Sequence, residues 1–146
     1  MRINGLLAIG LFLLSFTGWE TDLDLAKSKA KQEHKFILLN FSGSDWCIPC
    51  INMRHDIFDS KSFTEYADNN LVLLNADFPR LKKNRLPKEQ EEKNNHLADR
   101  YNPQGIFPLT VLLDADGKVI YKWEGAPRLS AEEFIAQVKS RQNAGN

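Results

Sequence analysis

Cys47 and Cys50 are the two cysteines of the chain, and two residues separate them. The loop that such a pair closes is too short to remove much entropy from the unfolded chain, so a structural disulfide explains the pair poorly. Thiol–disulfide exchange explains it better, because one thiolate attacks a partner disulfide and the second resolves the mixed disulfide. We expect Cys47 to be the exposed nucleophile and Cys50 to be the resolving thiol behind it.

The elements around the cysteines favour that chemistry. Residues 36–41 form a short, almost wholly apolar run, as expected of a strand buried on both faces. Residues 42–45 break the run, and apolar residues then recur at helical spacing from Ile51 onward. A cysteine in the first turn of a helix lies near unpaired backbone amides, which stabilise its thiolate. Pro49 is tolerated there because first-turn N–H groups lack intrahelical partners.

The rest of the pattern predicts further helices and strands. Hydrophobic spacing and turn residues indicate helices over 21–35 and around 62–69, a buried strand over 71–77, and a helix opening at Pro87. Two β-rich runs, 109–113 and 119–123, are joined by an Asp-Gly turn, and Ser130 with Glu133 forms a capping box for a last helix. This order predicts a single α/β domain with helices on both sides of a central sheet.

Composition excludes several classes of protein. The chain has 146 residues, of which 42% are hydrophobic and 26% charged, as in one globular domain. Lys plus Arg and Asp plus Glu both number 19, so the formal net charge is zero. That balance gives no attraction to nucleic acid or to an anionic membrane surface. We expect a monomer without a cofactor.

The first residues have the character of an export signal. A basic start at Arg2, a short apolar run and small residues after it are typical of a secretory signal peptide. The run is shorter than the roughly 20 residues that span a bilayer. We predict a signal peptide over 1–18 and a folded domain over 19–146, with an uncleaved interfacial anchor as the alternative. An exported protein works in an oxidising compartment, such as the periplasm.

The Trp-Cys-x-Pro-Cys segment after an apolar strand resembles thioredoxin-like proteins, and the preceding Ser-Gly-Ser-Asp resembles their bacterial exported branch of thiol–disulfide oxidoreductases. The resemblance extends over residues 25–138. It implies a thioredoxin-like fold with a central mixed β-sheet flanked by helices on both faces. It also implies a cis-proline at Pro108, two residues before Thr110. By the same resemblance the backbone of Phe107 binds an extended substrate segment, and Trp46 and Pro108 belong to the substrate-binding surface.

The implied activity is that of a protein-disulfide oxidoreductase. It would reduce or interchange disulfides of other proteins outside the cytoplasm, through the redox disulfide Cys47–Cys50. In the reducing direction it would need an electron source, which we expect to be a membrane-embedded partner. Its partners are then protein thiols and disulfides.

Three features depart from thioredoxins proper. Asn40 stands where a buried aspartate handles protons near the resolving cysteine, so proton removal from Cys50 would need water or another group. Ile48 replaces the usual glycine, and no histidine lies between the cysteines, which argues for a reductant or an interchange catalyst. The charged segment 79–102 is longer than the link in a minimal thioredoxin. It is either a solvated surface segment or a loop beside the active site that selects a partner.

Metal binding is the alternative use of the cysteine pair. Zinc wants about four ligands, and the further candidates are carboxylates and His34, His55 and His96. We expect these histidines at the surface and no metal site. A thioredoxin-like module that binds a soft metal or one client, as in cytochrome or copper-protein maturation, stays open as the second hypothesis.

Several other side chains carry expectations. Trp46 serves in core packing, in a docking surface, or in both. Asp45 is expected to have a loop or cap role, and Asp77 and Arg80 are expected to form a surface ion pair. Three aromatic residues are predicted in the core: Phe41, Phe78 and Trp123.

Overall fold

The computed structural model describes residues 18–145. The predicted signal peptide therefore lies outside the described residues, apart from Gly18. Within residues 18–145, no helix has both the length and the apolar character needed to cross a membrane.

Five helices and four strands make up the described part of the chain. They are α1 (Leu23–Glu33), β1 (Phe36–Ser42), α2 (Ile48–Met53), α3 (Lys61–Asn70), β2 (Leu71–Asp77), α4 (Lys88–Tyr101), β3 (Leu109–Leu113), β4 (Val119–Glu124) and α5 (Ala131–Ala144). A π-helical turn, Arg54–Phe58, continues α2, and a 3₁₀ turn, Lys82–Asn84, precedes α4.

The four strands form one mixed sheet in the order β2-β1-β3-β4. β1 pairs with β2 in parallel, whereas β1 with β3 and β3 with β4 are antiparallel. β1 is central and its five inner residues are buried, which explains its apolar sequence. The parallel register sets Ser42 opposite Asp77, so the chain leaves β1 and β2 at the same edge of the sheet.

Hydrophobic cores cover both faces of the sheet. Leu38 of β1 belongs to the core under α3 and α5, while its neighbours Ile37 and Leu39 belong to the core under α1 and α4. This alternation follows from the two-residue period of a strand. Burying one such large side chain contributes roughly 1.5–3 kcal/mol. The predicted fold class, with helices on both faces, is confirmed.

Local signals set the ends of the elements. The helix predicted over 21–35 is shorter, because the Asp22 carboxylate caps it and His34 leaves the helix with a left-handed φ of 54°. Both hydrogen bonds of the Ser130–Glu133 capping box are present at α5. Pro87 is the N-cap of α4, just before the first turn.

Candidate active site

The cysteines lie where the loop after β1 enters α2. Cys47 is the N-cap of α2 and is disulfide-bonded to Cys50, with the two Cα atoms 5.2 Å apart. The N–H of Cys50 donates to the Cys47 Sγ at 3.3 Å. Each cysteine is only 5% exposed, so the expectation of an exposed Cys47 is wrong for this oxidised state. The reason is that Cys47 Sγ is bonded to Cys50 and turned toward the helix end.

The helix end supplies the polarity for thiolate chemistry. Pro49 lies in the first turn and has no N–H, so the Cys50 N–H is the donor that reaches the Cys47 sulfur. In the dithiol form, the same N–H and the partial positive charge of the helix N-terminus would favour a thiolate on Cys47. Ile48, between the cysteines, adds an apolar surface that is 63% exposed.

An aromatic cluster lies beside the disulfide and consists of Trp46, Phe78 and Phe107. The Phe107 ring contacts Trp46 edge-on with centroids 5.4 Å apart and Phe78 with centroids 5.5 Å apart. The Trp46 Nε1–H donates to the Phe78 carbonyl oxygen at 2.7 Å, and the Arg80 guanidinium lies 3.6 Å from the indole centroid. Trp46 is half-buried, so it is neither plain core nor a free surface residue.

Gly43 allows the indole to lie against the loop after β1. A Cβ placed on Gly43 would come within 2.2 Å of Trp46 Cε2 and 2.5 Å of its Nε1. Only a residue without a side chain fits there, because real Cβ contacts are never that short. The close approach of Gly43 and the hydrogen bond to the Phe78 carbonyl together fix the position of Trp46.

Asp45 ties the segment after β2 to the active-site loop. Its carboxylate accepts from the N–H groups of Arg80 and Leu81, both at 2.9 Å, and from Asn84 Nδ2 at 3.0 Å. The Arg80 N–H is the largest of the influences that lower the pKa of the Asp45 carboxyl. The expected loop role of Asp45 is thus seen as a tether that crosses from one strand end to the next.

The Phe107–Pro108 peptide bond is cis, as predicted for Pro108. The Pro108 carbonyl accepts from the Gly125 N–H at 2.9 Å, which anchors this turn to the end of β4. Among the described residues, neither the N–H nor the C=O of Phe107 has a hydrogen-bond partner.

A pocket of about 370 Å³ lies on the other side, and Asn40, Cys50 and Asn75 belong to its lining. Asn40, buried in β1, donates from Nδ2 to Asn75 Oδ1 at 3.3 Å and accepts from the Thr110 hydroxyl at 3.3 Å. We call Asn40 and Asn75, with Cys50, the amide pocket. The position of the usual aspartate is therefore filled by a neutral side chain that is hydrogen-bonded through both its Nδ2 and its Oδ1.

The expected ion pair between Asp77 and Arg80 is wrong. The Asp77 carboxylate accepts from the Ser44 N–H at 2.9 Å, the Ser44 hydroxyl at 2.6 Å and the Ser42 hydroxyl at 3.3 Å. Arg80 instead covers Trp46. The parallel pairing of β1 with β2 brings the serines to Asp77, and the turn at Pro79 carries Arg80 away toward the indole.

Other expectations can be located as well. His34, His55 and His96 are exposed as predicted, and within residues 18–145 no three or more His, Cys, Asp or Glu side chains gather as a metal site would require. Phe41 and Trp123 are buried, whereas Phe78 is only half-buried at the edge of the core.

Comparison with known proteins agrees with this geometry. A thioredoxin-like domain family matches residues 23–142. The chain belongs to the thioredoxin-like domain family. It is 39% identical over 122 residues to the disulfide bond reductase DsbH of Chlamydia pneumoniae, covering 84% of this chain and 70% of that protein.

Two solved structures are similar to this thioredoxin-like chain. A DsbH oxidoreductase superposes with a TM-score of 0.76 at 38% identity, covering 85% of this chain and 83% of that one. A disulphide isomerase from Xylella fastidiosa Temecula1 superposes with a TM-score of 0.60 at 22% identity, covering 80% and 88%, and supports the fold alone. The predicted thioredoxin-like fold and the predicted class, a thiol–disulfide oxidoreductase, are confirmed.

Sequence reasoning missed the partners of this thioredoxin-like site that come from β2 and the segment after it. The sequence predicts Arg80 beside Asp77 and Phe78 in the core, whereas both contact Trp46 in the structure. The signal that could have located these partners is the presence of two buried apolar runs, which predict two parallel strands. The carboxyl ends of parallel strands meet at one edge of a sheet, so the residues that follow them lie close together.

Proposed function

We propose that this protein is an exported reductase of protein disulfides, with Cys47 as nucleophile and Cys50 as resolving thiol. The observation that carries the proposal is the Cys47–Cys50 disulfide at the N-terminus of α2, in a chain 39% identical to a disulfide bond reductase. The helix terminus favours a thiolate on Cys47, since the Cys50 N–H already donates to that sulfur.

The reaction starts from the dithiol form. The Cys47 thiolate attacks one sulfur of a substrate disulfide, so that a Cys47–substrate bond forms and the second substrate sulfur leaves and takes a proton. Cys50 then loses its proton to water, attacks Cys47 Sγ and releases the substrate as a dithiol. Two electrons pass to the substrate, and the protein is left with its Cys47–Cys50 disulfide.

Substrate docking is assigned to the aromatic side of the disulfide. The unbonded backbone groups of Phe107 are available to an extended segment of substrate, which would pair with them as an added strand. Trp46 packs against the Phe107 ring, Pro108 follows Phe107 in the chain, and both would contact the residues next to the substrate cysteine. These assignments agree with the resemblance to thioredoxin-like proteins.

The place of work is proposed to be the periplasm, reached through the signal peptide at residues 1–18. The protein is proposed to act as a monomer and to be re-reduced by a dithiol of a membrane-embedded partner. Mass spectrometry of the exported protein tests the first part, since cleavage predicts a chain that begins at or near Trp19. A full-length exported chain would instead favour the anchor.

The reductase activity is tested by reduction of insulin disulfides with dithiothreitol as the electron source. Cys50→Ala is expected to trap substrates as mixed disulfides on Cys47, because the resolving thiol is gone. Cys47→Ala, the matched control, is expected to lose turnover by about a thousandfold or more and to trap nothing. Equal trapping by both variants in the absence of dithiothreitol, or insulin reduction by Cys47→Ala above the rate with dithiothreitol alone, would contradict the proposal.

A further inference from the structure

The segment after β2 carries a concentration of positive charge. Residues 80–85, which we call the basic loop, read Arg-Leu-Lys-Lys-Asn-Arg and contain four cations and no acid. All six residues are exposed. In a chain whose formal net charge is zero, this is a local excess. A cluster of one sign raises the local concentration of oppositely charged groups and the rate at which they associate.

Few of these positively charged side chains form ion pairs with carboxylates. Arg85 lies 4.0 Å from Glu91, and Arg80 stacks on Trp46. Lys82 and Lys83 form no ion pair within the described part of the chain. The neighbouring helix α4 behaves differently, because its lysines pair with carboxylates, namely Lys88 with Glu92 and Lys93 with Glu89 and Asp22.

The basic loop is fixed relative to the disulfide. Asp45, two residues before Cys47, accepts hydrogen bonds from two N–H groups and one side-chain amide of the segment 80–84. The Trp46 indole, one residue before Cys47, donates to the chain just before the loop and lies under Arg80. The basic loop is therefore held to the two residues that immediately precede Cys47.

Apolar surface accompanies the charge. Leu81, inside the basic loop, is 48% exposed, and Ile48, between the cysteines, is 63% exposed. Exposed apolar side chains can contact apolar residues of a protein partner, whereas a nucleic acid presents phosphates and base edges. Ile48, which lies between the cysteines, therefore favours a protein partner.

We propose that the basic loop selects protein partners whose reacting disulfide is flanked by acidic residues. The inference rests on the proposed reductase function and adds a substrate class to it. Lys82 and Lys83 attract the acidic flank during encounter and hold it beside the disulfide, while Leu81 contacts an apolar residue of the partner. Charge complementarity of this kind acts mainly on the association rate and weakens with salt.

The test uses three cyclic disulfide peptides that are identical except for flanking residues, which are Glu, Ser or Lys. Reduction of each by the pre-reduced protein is followed in a stopped-flow instrument at about 10 mM and about 1 M ionic strength, where the screening lengths are about 30 Å and 3 Å. We expect the Glu peptide to react about tenfold faster than the Ser peptide at low salt, and the Lys peptide to react more slowly. At high salt the three rates are expected to converge.

Two double variants, each of which removes two positive charges, distinguish the effect of the basic loop from the effect of the protein's net charge. Lys82→Gln with Lys83→Gln is expected to lower the Glu-to-Ser rate ratio from about ten to about two. Lys31→Gln with Lys118→Gln removes exposed charges near the β3–β4 turn, at the opposite end of the sheet, and should leave the ratio unchanged. Thermal melts check that both variants are folded.

Three outcomes would overturn the inference. They are equal rates on the Glu and Ser peptides at low salt, an equal loss of preference in the two double variants, and binding to phosphatidylglycerol vesicles through Lys82 and Lys83 with no preference among peptides. Failure of the proposed function looks different, because the Ser peptide would then not be reduced at any salt concentration.

Discussion

The two sides of the disulfide are built in different ways. On one side the aromatic cluster is held by a 2.7 Å hydrogen bond from Trp46 to Phe78 and by ring contacts to Phe107. On the other side the amide pocket contains Asn40, which is neutral and buried. The comparison teaches that the aromatic side is held by ring contacts and a hydrogen bond, whereas the side of Cys50 has a neutral amide at its buried position 40.

The largest effect is expected from Asn40→Asp, which places a carboxyl in the amide pocket and removes the difference in charge between that pocket and a usual thioredoxin site. An ionised Asp cannot donate to Asn75 Oδ1, and burial beside that oxygen disfavours the charged form. We expect a loss of about 3 kcal/mol in the free energy of unfolding at pH 7. The pKa of the new carboxyl is raised in the folded state, so the deficit appears as the pH rises above the ordinary Asp pKa of about 3.9. Chemical denaturation at several pH values measures it.

Asn75→Asp is the matched control for that variant. Asn75 is half-buried and only accepts from Asn40, so a carboxylate keeps the contact. We expect a cost below about 1 kcal/mol. Equal costs for the two variants would mean that neutrality at position 40 is not what the pocket requires.

Gly43→Ala would disturb the aromatic cluster. The added methyl would meet Trp46 Cε2 at 2.2 Å, so the indole has to move and its hydrogen bond to Phe78 is lost. We expect a destabilisation of about 2 kcal/mol and slower reduction of insulin. In a double-mutant cycle with Trp46→Leu the cost of Gly43→Ala should fall by more than about 1 kcal/mol. Strict additivity would show that the two residues do not constrain each other.

The smallest effect is expected from Asp45→Ala, which releases the basic loop without touching the core. The lowered pKa of Asp45 means that its tether is present above the ordinary Asp pKa, about 3.9, and is lost as the pH falls through the lower pKa of the folded state. Amide proton shifts of Arg80 and Leu81 should report that acid transition in the native protein and lack it in the variant. The Leu25 N–H, which donates to Asp22, is the internal control, and its own acid transition should be the same in the native protein and in the variant. Retention of the transition in Asp45→Ala would assign it to another group.

Much of the fold is predictable because local signals agree with it. The apolar runs of β1 and β2 are buried strands, and the Asp-Gly turn joins β3 and β4. The Ser130–Glu133 capping box opens α5 where the sequence places it. Each of these signals depends on hydrophobic period or on turn chemistry within a few residues, which a single sequence contains.

The site was predictable only in part. Cys47, Cys50 and the cis Pro108 follow from a motif, but the partners of Trp46 and Asp45 lie more than thirty residues away in sequence. Those pairs depend on the register between β1 and β2, which periodicity does not determine. Neighbouring opposite charges often pair, but Asp77 and Arg80 do not, since Ser44 in the loop after β1 donates to the Asp77 carboxylate.

The reduction potential of the Cys47–Cys50 pair tests the central claim, that this protein works as a reductant, most directly. One backbone N–H donates to Cys47 Sγ, and the residues between the cysteines, Ile48 and Pro49, carry no charge. The thiolate is therefore stabilised modestly, which favours a reducing couple. Equilibration with glutathione should give a potential near that of thioredoxin, about −270 mV, whereas a value near −120 mV would indicate an oxidant and contradict the account.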